Sequence, residues 1–281
     1  MRFIKILLCL IFFKTSYLLS FGCELAVCAV FKDEGPYLRE WVCFHRAQGV
    51  DRFYLYDYLS CDDWRCQIED FICSGVVQII PWGFNGCHFE SFEEVRCKAY
   101  KHCLDCIRHD VKWCAFLDCN EFLFCPSAWP LPVFLKKFKK CPCICISRQV
   151  YGTSFVDQTA CGCLVRSLLW KCLPKHSCCE PVRCLVQPKY VKDCTCSRWF
   201  ILKHGSDTFN PNKKKVKEHD KKEICINKIR INCYICRDLL FFNNRRESFC
   251  CEDFNRSYGF NFNLNCVYDD CILNCCPPLL Y

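Results

Sequence analysis

Apolar runs of strand length alternate with amphipathic stretches along the first part of the chain. Residues 24–31 (ELAVCAVF) form an apolar run, and residues 35–49 carry apolar side chains at helical spacing before a closing glycine. An aromatic strand at residues 51–58 is followed by a helix that ends near Phe71 and by an apolar strand at residues 75–82. The pattern therefore predicts a repeating order of strand and helix.

The alternation continues with a helix over about residues 92–108 and a buried strand within residues 112–124 (KWCAFLDCNEFLF). Strands that alternate with helices predict a mainly parallel central sheet with helices on both faces. We therefore expect the α/β class, built as one compact domain with decorations.

Polar side chains follow three of the predicted strands, at the point where each strand ends. They are Lys32, Asp33 and Glu34 after the first strand, Asp57 after the second, and Asp118, Asn120 and Glu121 after the fourth. Ligands of such sheets bind beyond the carboxyl ends of the strands. One polar strand end would be a cap or a turn, whereas three indicate a cleft for a charged ligand.

The acid-amide pair Asp118 and Asn120 is a candidate metal site. Alternating positions just past a strand can turn their oxygens toward one hard cation, so the pair suits Mg²⁺ or Mn²⁺ completed by water and phosphate oxygens. The alternative is structural, because a D-x-N triplet is common and Asp118 could simply cap the following turn.

Composition limits the other function classes. With 281 residues, of which 52% are hydrophobic, the chain can bury a large core. Much of the net charge of +8 comes from residues 210–222 (NPNKKKVKEHDKK), which are typical of a solvated loop. The chain has no long basic helix and no aromatic RNA-binding signature, so we expect no nucleic-acid partner.

The 34 cysteines are abnormally many for a chain of this length. Several occupy apolar positions of predicted strands and helices, as Cys28, Cys43, Cys114 and Cys119 do, so we expect most of them to be small, buried and reduced. The CLDC motif at residues 103–106 has zinc-ligand spacing, but it lies in a helical stretch and lacks a matching second pair.

The amino-terminal segment predicts export or membrane association. Arg2 and Lys5 form a basic start, residues 6–13 form an apolar core, and small residues follow at 20–22. Lys14 interrupts the apolar run, which disfavours a full membrane span. A cleaved signal peptide and an uncleaved anchor over residues 1–22 both remain open, and a cytoplasmic location is the less favoured alternative.

Four blocks of the sequence together resemble glycosyltransferase family 92. They are residues 29–63 (AVFKDEGPYLREWVCFHRAQGVDRFYLYDYLSCDD), 112–124, 186–191 (VQPKYV) and 228–242 (KIRINCYICRDLLFF). The resemblance implies a single GT-A-like, Rossmann-type domain at residues 23–245, followed by a cysteine-rich C-terminal extension at 246–281. It also implies an inverting hexosyltransferase that moves a hexose, commonly galactose, from a nucleotide sugar such as a UDP-hexose to a glycan acceptor.

The resemblance assigns roles to particular residues. Asp118 and Asn120 occupy the metal motif for Mn²⁺ or Mg²⁺, where the family usually has a second Asp, and Cys233 stands where a His is usual. The donor is expected near Lys32, Asp33, Glu34 and Asp57. The catalytic base is unknown, and Asp157 and Asp238 are weak candidates because they lie in the acceptor half of the chain.

Two alternatives to an active transferase stand beside this interpretation. The first is a catalytically degenerate relative that keeps the fold and binds a nucleotide or glycan without turnover. Asn120 and Cys233 favour this alternative, and the intact FKDEG block at residues 31–35 opposes it. The second is a cysteine-rich envelope or redox protein stabilised by disulfides, which near-complete pairing of the cysteines would support.

Overall fold

The computed structural model describes residues 22–83, 91–126, 130–160, 163–173, 182–218, 223–248 and 264–276. Its first half alternates strictly between strand and helix, as the hydrophobic pattern predicts. The elements are β1 (Cys23–Phe31), α1 (Gly35–Ala47), β2 (Arg52–Tyr58), α2 (Trp64–Cys73), β3 (Val77–Trp82), α3 (Phe92–Ile107) and β4 (Val111–Phe116).

The second half consists mostly of short elements. They are β5 (Glu121–Phe124), α4 (Leu131–Leu135), β6 (Cys143–Val150), α5 (Leu164–Ser167), β7 (Trp170–Lys171), β8 (Val182–Val186), β9 (Val191–Cys196), β10 (Trp199–Leu202), β11 (Thr208–Phe209), β12 (Lys215–Val216), β13 (Arg230–Cys233), α6 (Leu239–Ser248) and β14 (Val267–Tyr268). Single 3-10 turns lie at Lys136–Phe138, Pro188–Tyr190 and Cys271–Cys275.

Ten strands form one sheet, in which β3, β2, β1 and β4 are parallel neighbours. The fully buried strand β8 lies antiparallel between β4 and β6, which the pattern did not predict. Because β8 is antiparallel to both of its neighbours, β6 runs in the same direction as β4. Strand β13 in turn runs parallel to β6. The carboxyl ends of β1, β2, β4, β6 and β13 therefore share one side of the sheet, which we call the carboxyl edge.

Helices cover both faces of the sheet because the residues of β1 alternate between two cores. Leu25 and Val27 pack on one side with side chains of α1 and α2. Ala26 and Cys28 pack on the other side with side chains of α3, among them Tyr100. This arrangement confirms the predicted α/β fold with a mainly parallel sheet and helices on both faces.

Cysteines serve mainly as small core residues. Cys28, Cys114 and Cys119 are buried, and no cysteine of the described segments forms a disulfide. Burial raises the pKa of the Cys28 and Cys119 thiols well above their ordinary value, so both stay protonated at neutral pH. The expectation of buried cysteines is confirmed at these positions, and their reduced state stays a prediction.

Part of the predicted C-terminal extension packs against the domain. Strand β14 pairs with β7, and the amide of Gln48 donates a hydrogen bond of 2.7 Å to the carbonyl of Cys275. The predicted leader lies outside the described residues and stays a prediction. In the segments that the structure describes, no helix has the length and hydropathy of a membrane span.

A buried histidine fastens α1 to β5. The backbone amide of Leu123 donates to His45 Nε2 at 3.1 Å, so the ring proton lies on Nδ1, which donates to the carbonyl of Trp41 at 2.9 Å. The indole of Trp41 in turn donates to the carbonyl of Glu121 at 2.8 Å. Burial lowers the pKa of His45 to about 4, because a charged ring has no solvent there.

We predict that His45 makes the fold sensitive to mild acid. The pKa of His45 is lower in the folded chain than its unfolded value of about 6.5. Between these two pKa values the unfolded chain binds a proton at His45 and the folded chain does not. The contribution of neutral His45 to stability is complete above pH 6.5 and is lost as the pH falls to about 4. The loss is about 3 kcal/mol of unfolding free energy. Urea denaturation at several pH values measures it.

The control is an exposed histidine. His45→Gln should flatten the dependence between pH 4 and 6.5, whereas His109→Gln, at an exposed position, should leave it unchanged. Equal slopes in the parent chain and in His45→Gln would show that other groups dominate the acid response.

Candidate active site

A tight turn joins β4 to β5 at the carboxyl edge and carries the predicted acid-amide pair. The amide of Glu121 donates to the carbonyl of Asp118 at 3.0 Å, and the amide of Asp118 donates to the Glu121 carboxylate at 3.0 Å. The side chain of Glu121 is fully buried, whereas that of Asp118 remains 24% exposed. The turn thus holds one carboxylate inside the protein and one at its surface.

Three arginines surround these two carboxylates. Arg148 donates to Glu121 at 2.9 Å, and Nε of Arg183 donates to the same carboxylate at 2.8 Å. A terminal nitrogen of Arg183 pairs with Asp118, and Arg96 reaches the other Asp118 oxygen at 3.4 Å. We call these five residues the arginine–carboxylate cluster.

The cluster keeps Asp118 ionised. Burial alone would raise the pKa of Asp118, but the positive charges of Arg183 and Arg96 outweigh it and hold the pKa below its ordinary value. Arg96 is itself placed by Glu93 of the same helix, whose carboxylate also accepts hydrogen bonds from the amide and hydroxyl of Ser197. The site therefore ties α3 to the hairpin of β9 and β10.

Asp118 and Asn120 offer oxygen atoms, which suit a hard divalent cation, whereas Cys233 offers a softer sulfur. Asn120 Oδ1 is buried with no hydrogen-bond partner, as a cation ligand would be before its ion binds. The backbone of Cys233 pairs with that of Glu121, but burial raises the pKa of the Cys233 thiol to about 12. Without a metal ion the thiol is therefore protonated at neutral pH, and a cation bound there would have to displace that proton.

The protein supplies few of the ligands that such a cation needs. Within the described part of the chain, no three side chains of His, Cys, Asp or Glu are grouped to hold a metal ion. Two protein oxygens would leave most of a six-coordinate shell to water or to a phosphate-bearing ligand.

The ends of the first two strands meet, as predicted. The amide of Asp33 donates to Ser60 Oγ at 3.0 Å, and the carboxylate of Asp57 accepts the amide of Ser60 at 3.1 Å. Asp33 has a positive φ of 54°, a conformation that aspartate adopts more readily than most residues other than glycine, and its carboxylate accepts the amide of Cys61 at 2.7 Å. The loops after β1 and β2 thus form one acidic rim.

Lys32 and Glu34 point in different directions from this rim. The ammonium of Lys32 lies 5.7 Å from the ring centroid of Tyr58 at the strand ends. Glu34 instead pairs with Arg237, a buried residue whose guanidinium lies 3.6 Å from the ring centroid of Tyr37. Glu34 therefore connects the first loop to the segment after β13, and its carboxylate is already paired with an arginine.

The two candidate bases have different surroundings. Asp238 is buried and accepts hydrogen bonds from the amide of Thr159, from its hydroxyl and from the amide of Phe241, all at 2.8 Å. These bonds make Asp238 the start of α6 and fix a loop against it. Asp157 is exposed, so its carboxylate is free to meet a ligand from solvent.

Sequence reasoning missed the arginines. Arg148 and Arg183 stand inside the apolar runs CICISRQV and VRCLV, and both are almost fully buried. A charged residue inside a buried strand requires a buried partner of opposite charge, which is the signal that could have identified them. Arg96, in an ordinary amphipathic helix, offered no such signal.

Comparison with known proteins identifies relatives in plants. The model of the family described as Glycosyltransferase family 92 matches residues 24–248. A glycosyltransferase family 92 protein of Ricinus communis is 30% identical over 105 residues, which are 37% of this chain and 18% of that protein. One from Arabidopsis thaliana is 28% identical over 104 residues, 37% of this chain and 17% of that protein. These matches thus span less than a fifth of the relatives' length.

Solved structures similar to part of the chain include Staphylococcus aureus TarS 1-349, with a TM-score of 0.40 and 10% identity over 59% of this chain and 47% of that one. Another is glucosyl-3-phosphoglycerate synthase from Mycobacterium tuberculosis, solved with Mn²⁺, UDP and glucosyl-3-phosphoglycerate. It has a TM-score of 0.30 and 13% identity over 48% of each chain.

We predict that Arg183 is required for stability as well as for the site. Arg183→Leu leaves the buried Glu121 without one of its partners, and breaking such a buried pair costs about 3–5 kcal/mol. Urea denaturation at pH 7 measures the loss. The control is Arg39→Leu, which removes the exposed pair with Asp70 at 2.9 Å and should cost less than about 1 kcal/mol. Similar losses in both variants would contradict a special role for the cluster.

Proposed function

Because the chain belongs to glycosyltransferase family 92, we propose that it transfers a hexose from a UDP-hexose to a glycan acceptor with inversion, assisted by Mn²⁺ or Mg²⁺. The observation that carries the metal and donor assignment is the turn of residues 118–121. It presents an ionised carboxylate and an unpartnered buried amide oxygen at the carboxyl edge.

The donor would bind across the rim that the first two loops form. The carboxylates of Asp33 and Asp57 would accept hydrogen bonds from the hydroxyl and imino groups of the nucleoside. Lys32 adds one positive charge beside them. The diphosphate would then reach Asp118 and Asn120. The guanidinium groups of the cluster lie behind these residues and favour negative charge there.

A bound divalent cation would neutralise the diphosphate as it leaves. Asp118 would hold it through a charged oxygen and Asn120 through a neutral one, so this chain offers one carboxylate where its family usually offers two. The ion would therefore depend on the diphosphate for much of its binding energy. Arg96 and Arg183 restrict how Asp118 can turn, which orients its free lone pairs.

Inversion requires a base on the acceptor side. The acceptor hydroxyl forms its bond to the anomeric carbon as the bond from that carbon to the diphosphate breaks, and its proton passes to the base. Asp238 is committed to the start of α6, so Asp157 is the candidate that we retain. Asp157 is exposed in the segment that follows β6, a strand that ends on the carboxyl edge.

A second candidate function is nucleotide or glycan binding without turnover. It is favoured by the ion pair that already occupies Asp118 and by the neutral Asn120 beside it. Release of free UDP from UDP-galactose, with an oligosaccharide present, separates the two functions, since a binding protein releases none.

We also propose that residues 1–22 direct the chain to or across a membrane, as their basic start and apolar core suggest. N-terminal sequencing of the mature protein tests cleavage. Recovery of an intact, freely soluble cytoplasmic chain would contradict both export and anchoring.

The metal assignment predicts a change in nucleotide binding. Titration calorimetry with UDP should show tighter binding with Mn²⁺ than with EDTA, and Asp118→Ala should remove that difference. Asn120→Asp should tighten Mn²⁺-dependent binding by about tenfold, because it adds a second charged oxygen. A matched control is Asp207→Ala, which removes an exposed carboxylate beside β11, at the opposite edge of the sheet.

Two results would decide against this assignment. Equal UDP affinity with and without Mn²⁺ would mean that the turn takes no cation. An unchanged metal effect in Asp118→Ala would mean that the cation binds elsewhere, and the acid-amide pair would then be only a strand cap.

A further inference from the structure

Two exposed aromatic side chains contact a half-buried tryptophan in the second half of the chain. The ring centroid of Phe155 lies 6.0 Å from that of Trp170, which lies 5.8 Å from that of Tyr268, and both contacts are edge to face. Phe155 is 66% exposed and Tyr268 is 52% exposed. We call these three residues the aromatic platform.

The backbone holds Phe155 in water at a conformational cost. Ser154 and Phe155 have φ values of 52° and 62°, and two successive left-handed residues without glycine are unusual. The Ser154 hydroxyl accepts the amide of Trp170 at 2.9 Å, and its own amide donates to Asn265 at 2.8 Å. A strained backbone that exposes a large apolar ring indicates a functional surface.

The platform lies at the carboxyl edge. Strand β6 ends at Val150, whose backbone pairs with Cys233, and Cys233 pairs with Glu121 of the cluster. The chain continues from Val150 into the turn of Phe155, and the amide of Gly152 donates to the carbonyl of Trp170 at 3.0 Å. In the sheet order, β8 and β6 lie on the far side of β4 from β1 and β2, the strands whose ends form the donor rim.

A buried ion network connects the strands that carry the platform to the main sheet. Lys171 of β7 pairs with Asp269, which follows β14, and Arg230 of β13 pairs with the same carboxylate at 3.0 Å. Burial would raise the pKa of Asp269, but Arg230 and Lys171 lower it to about 2, so it stays charged. The strands that carry Trp170 and Tyr268 are thus anchored to the sheet beside the cluster.

We propose that the aromatic platform is the binding surface for the acceptor glycan. A pyranose ring has an apolar face of C–H groups, which packs on an aromatic ring, and a rim of hydroxyls that needs polar partners. Asp157 and Gln158 are exposed beside Phe155 and supply such partners. This inference rests on the proposed function, since it assigns the acceptor subsite of the same reaction.

A lipid surface is the competing occupant, because Leu173 and Leu240 are also exposed. The glycan is favoured by the flanking polar side chains, by the spacing of separate rings, and by continuity with the edge that carries Asp118. A surface that binds lipid would instead be a continuous aliphatic patch surrounded by basic residues.

The experiment measures glycan binding without any nucleotide present. The full chain is applied to a printed glycan array, and lactose, cellotriose and chitotriose are titrated at millimolar concentration with saturation-transfer NMR. We expect binding, with the strongest transfer to the C–H protons of one pyranose face. Phe155→Gly should weaken binding roughly fivefold and should keep or raise the thermal midpoint, because glycine relieves the left-handed strain.

The controls separate the ring from the fold. Phe155→Tyr keeps a ring and should retain binding, Tyr268→Ser should weaken it, and Ile201→Ala, which alters an exposed residue of β10, should change nothing. UDP affinity should be the same in Phe155→Gly as in the parent chain. A chain that binds glycans through the platform but no UDP would refute the proposed transfer and leave the glycan site standing.

Three results would overturn the proposal. The first is a parent chain that binds no glycan on the array or in titration, and the second is glycan binding that Phe155→Gly and Tyr268→Ser leave unchanged. The third is platform-dependent binding to phosphatidylcholine and phosphatidylserine vesicles in place of glycans.

Discussion

The buried carboxylate of Glu121 is the charge around which the carboxyl edge is organised. It has no exposed surface, and it is stable there only because Arg148 of β6 and Arg183 of β8 both donate to it. These bonds join the turn after β4 to two strands that are not its sequence neighbours. The same Arg183 reaches forward to Asp118, so the position of the surface carboxylate follows from that of the buried one.

This constraint explains why the second half of the chain departs from simple alternation. The antiparallel strand β8 brings Arg183 into the sheet between β4 and β6, where it can meet the turn of residues 118–121. Strand β13 then lies between β5 and β6, and its end leads to Arg237, which pairs with Glu34 on the first loop. Buried or nearly buried ion pairs therefore connect the carboxyl edge both to the second half of the sheet and to the first loop.

Periodicity in the sequence was sufficient for the first half of the fold. Strands β1 to β4 and their helices follow from apolar spacing, because apolar runs of strand length alternate there with stretches of helical spacing. Strand β8 does not belong to that alternation, and its antiparallel place between β4 and β6 is set by the tertiary fold. At the site, Asp118 and Asn120 were visible as polar strand ends, whereas Arg96 was not distinguishable from any surface arginine of an amphipathic helix.

The balance of charges at the site explains what an amide, rather than a carboxylate, at position 120 means for cation binding. Glu93, Asp118 and Glu121 are balanced by Arg96, Arg148 and Arg183, so these six side chains carry no net charge. A bare cation therefore gains little attraction from them, whereas a diphosphate brings the negative charge that the cation needs. A carboxylate at position 120 would shift this balance and hold the ion without the nucleotide. With asparagine there, a nucleotide and a cation that bound at this turn would assist each other's binding, and the partnerless Oδ1 of Asn120 is the protein oxygen that they would satisfy.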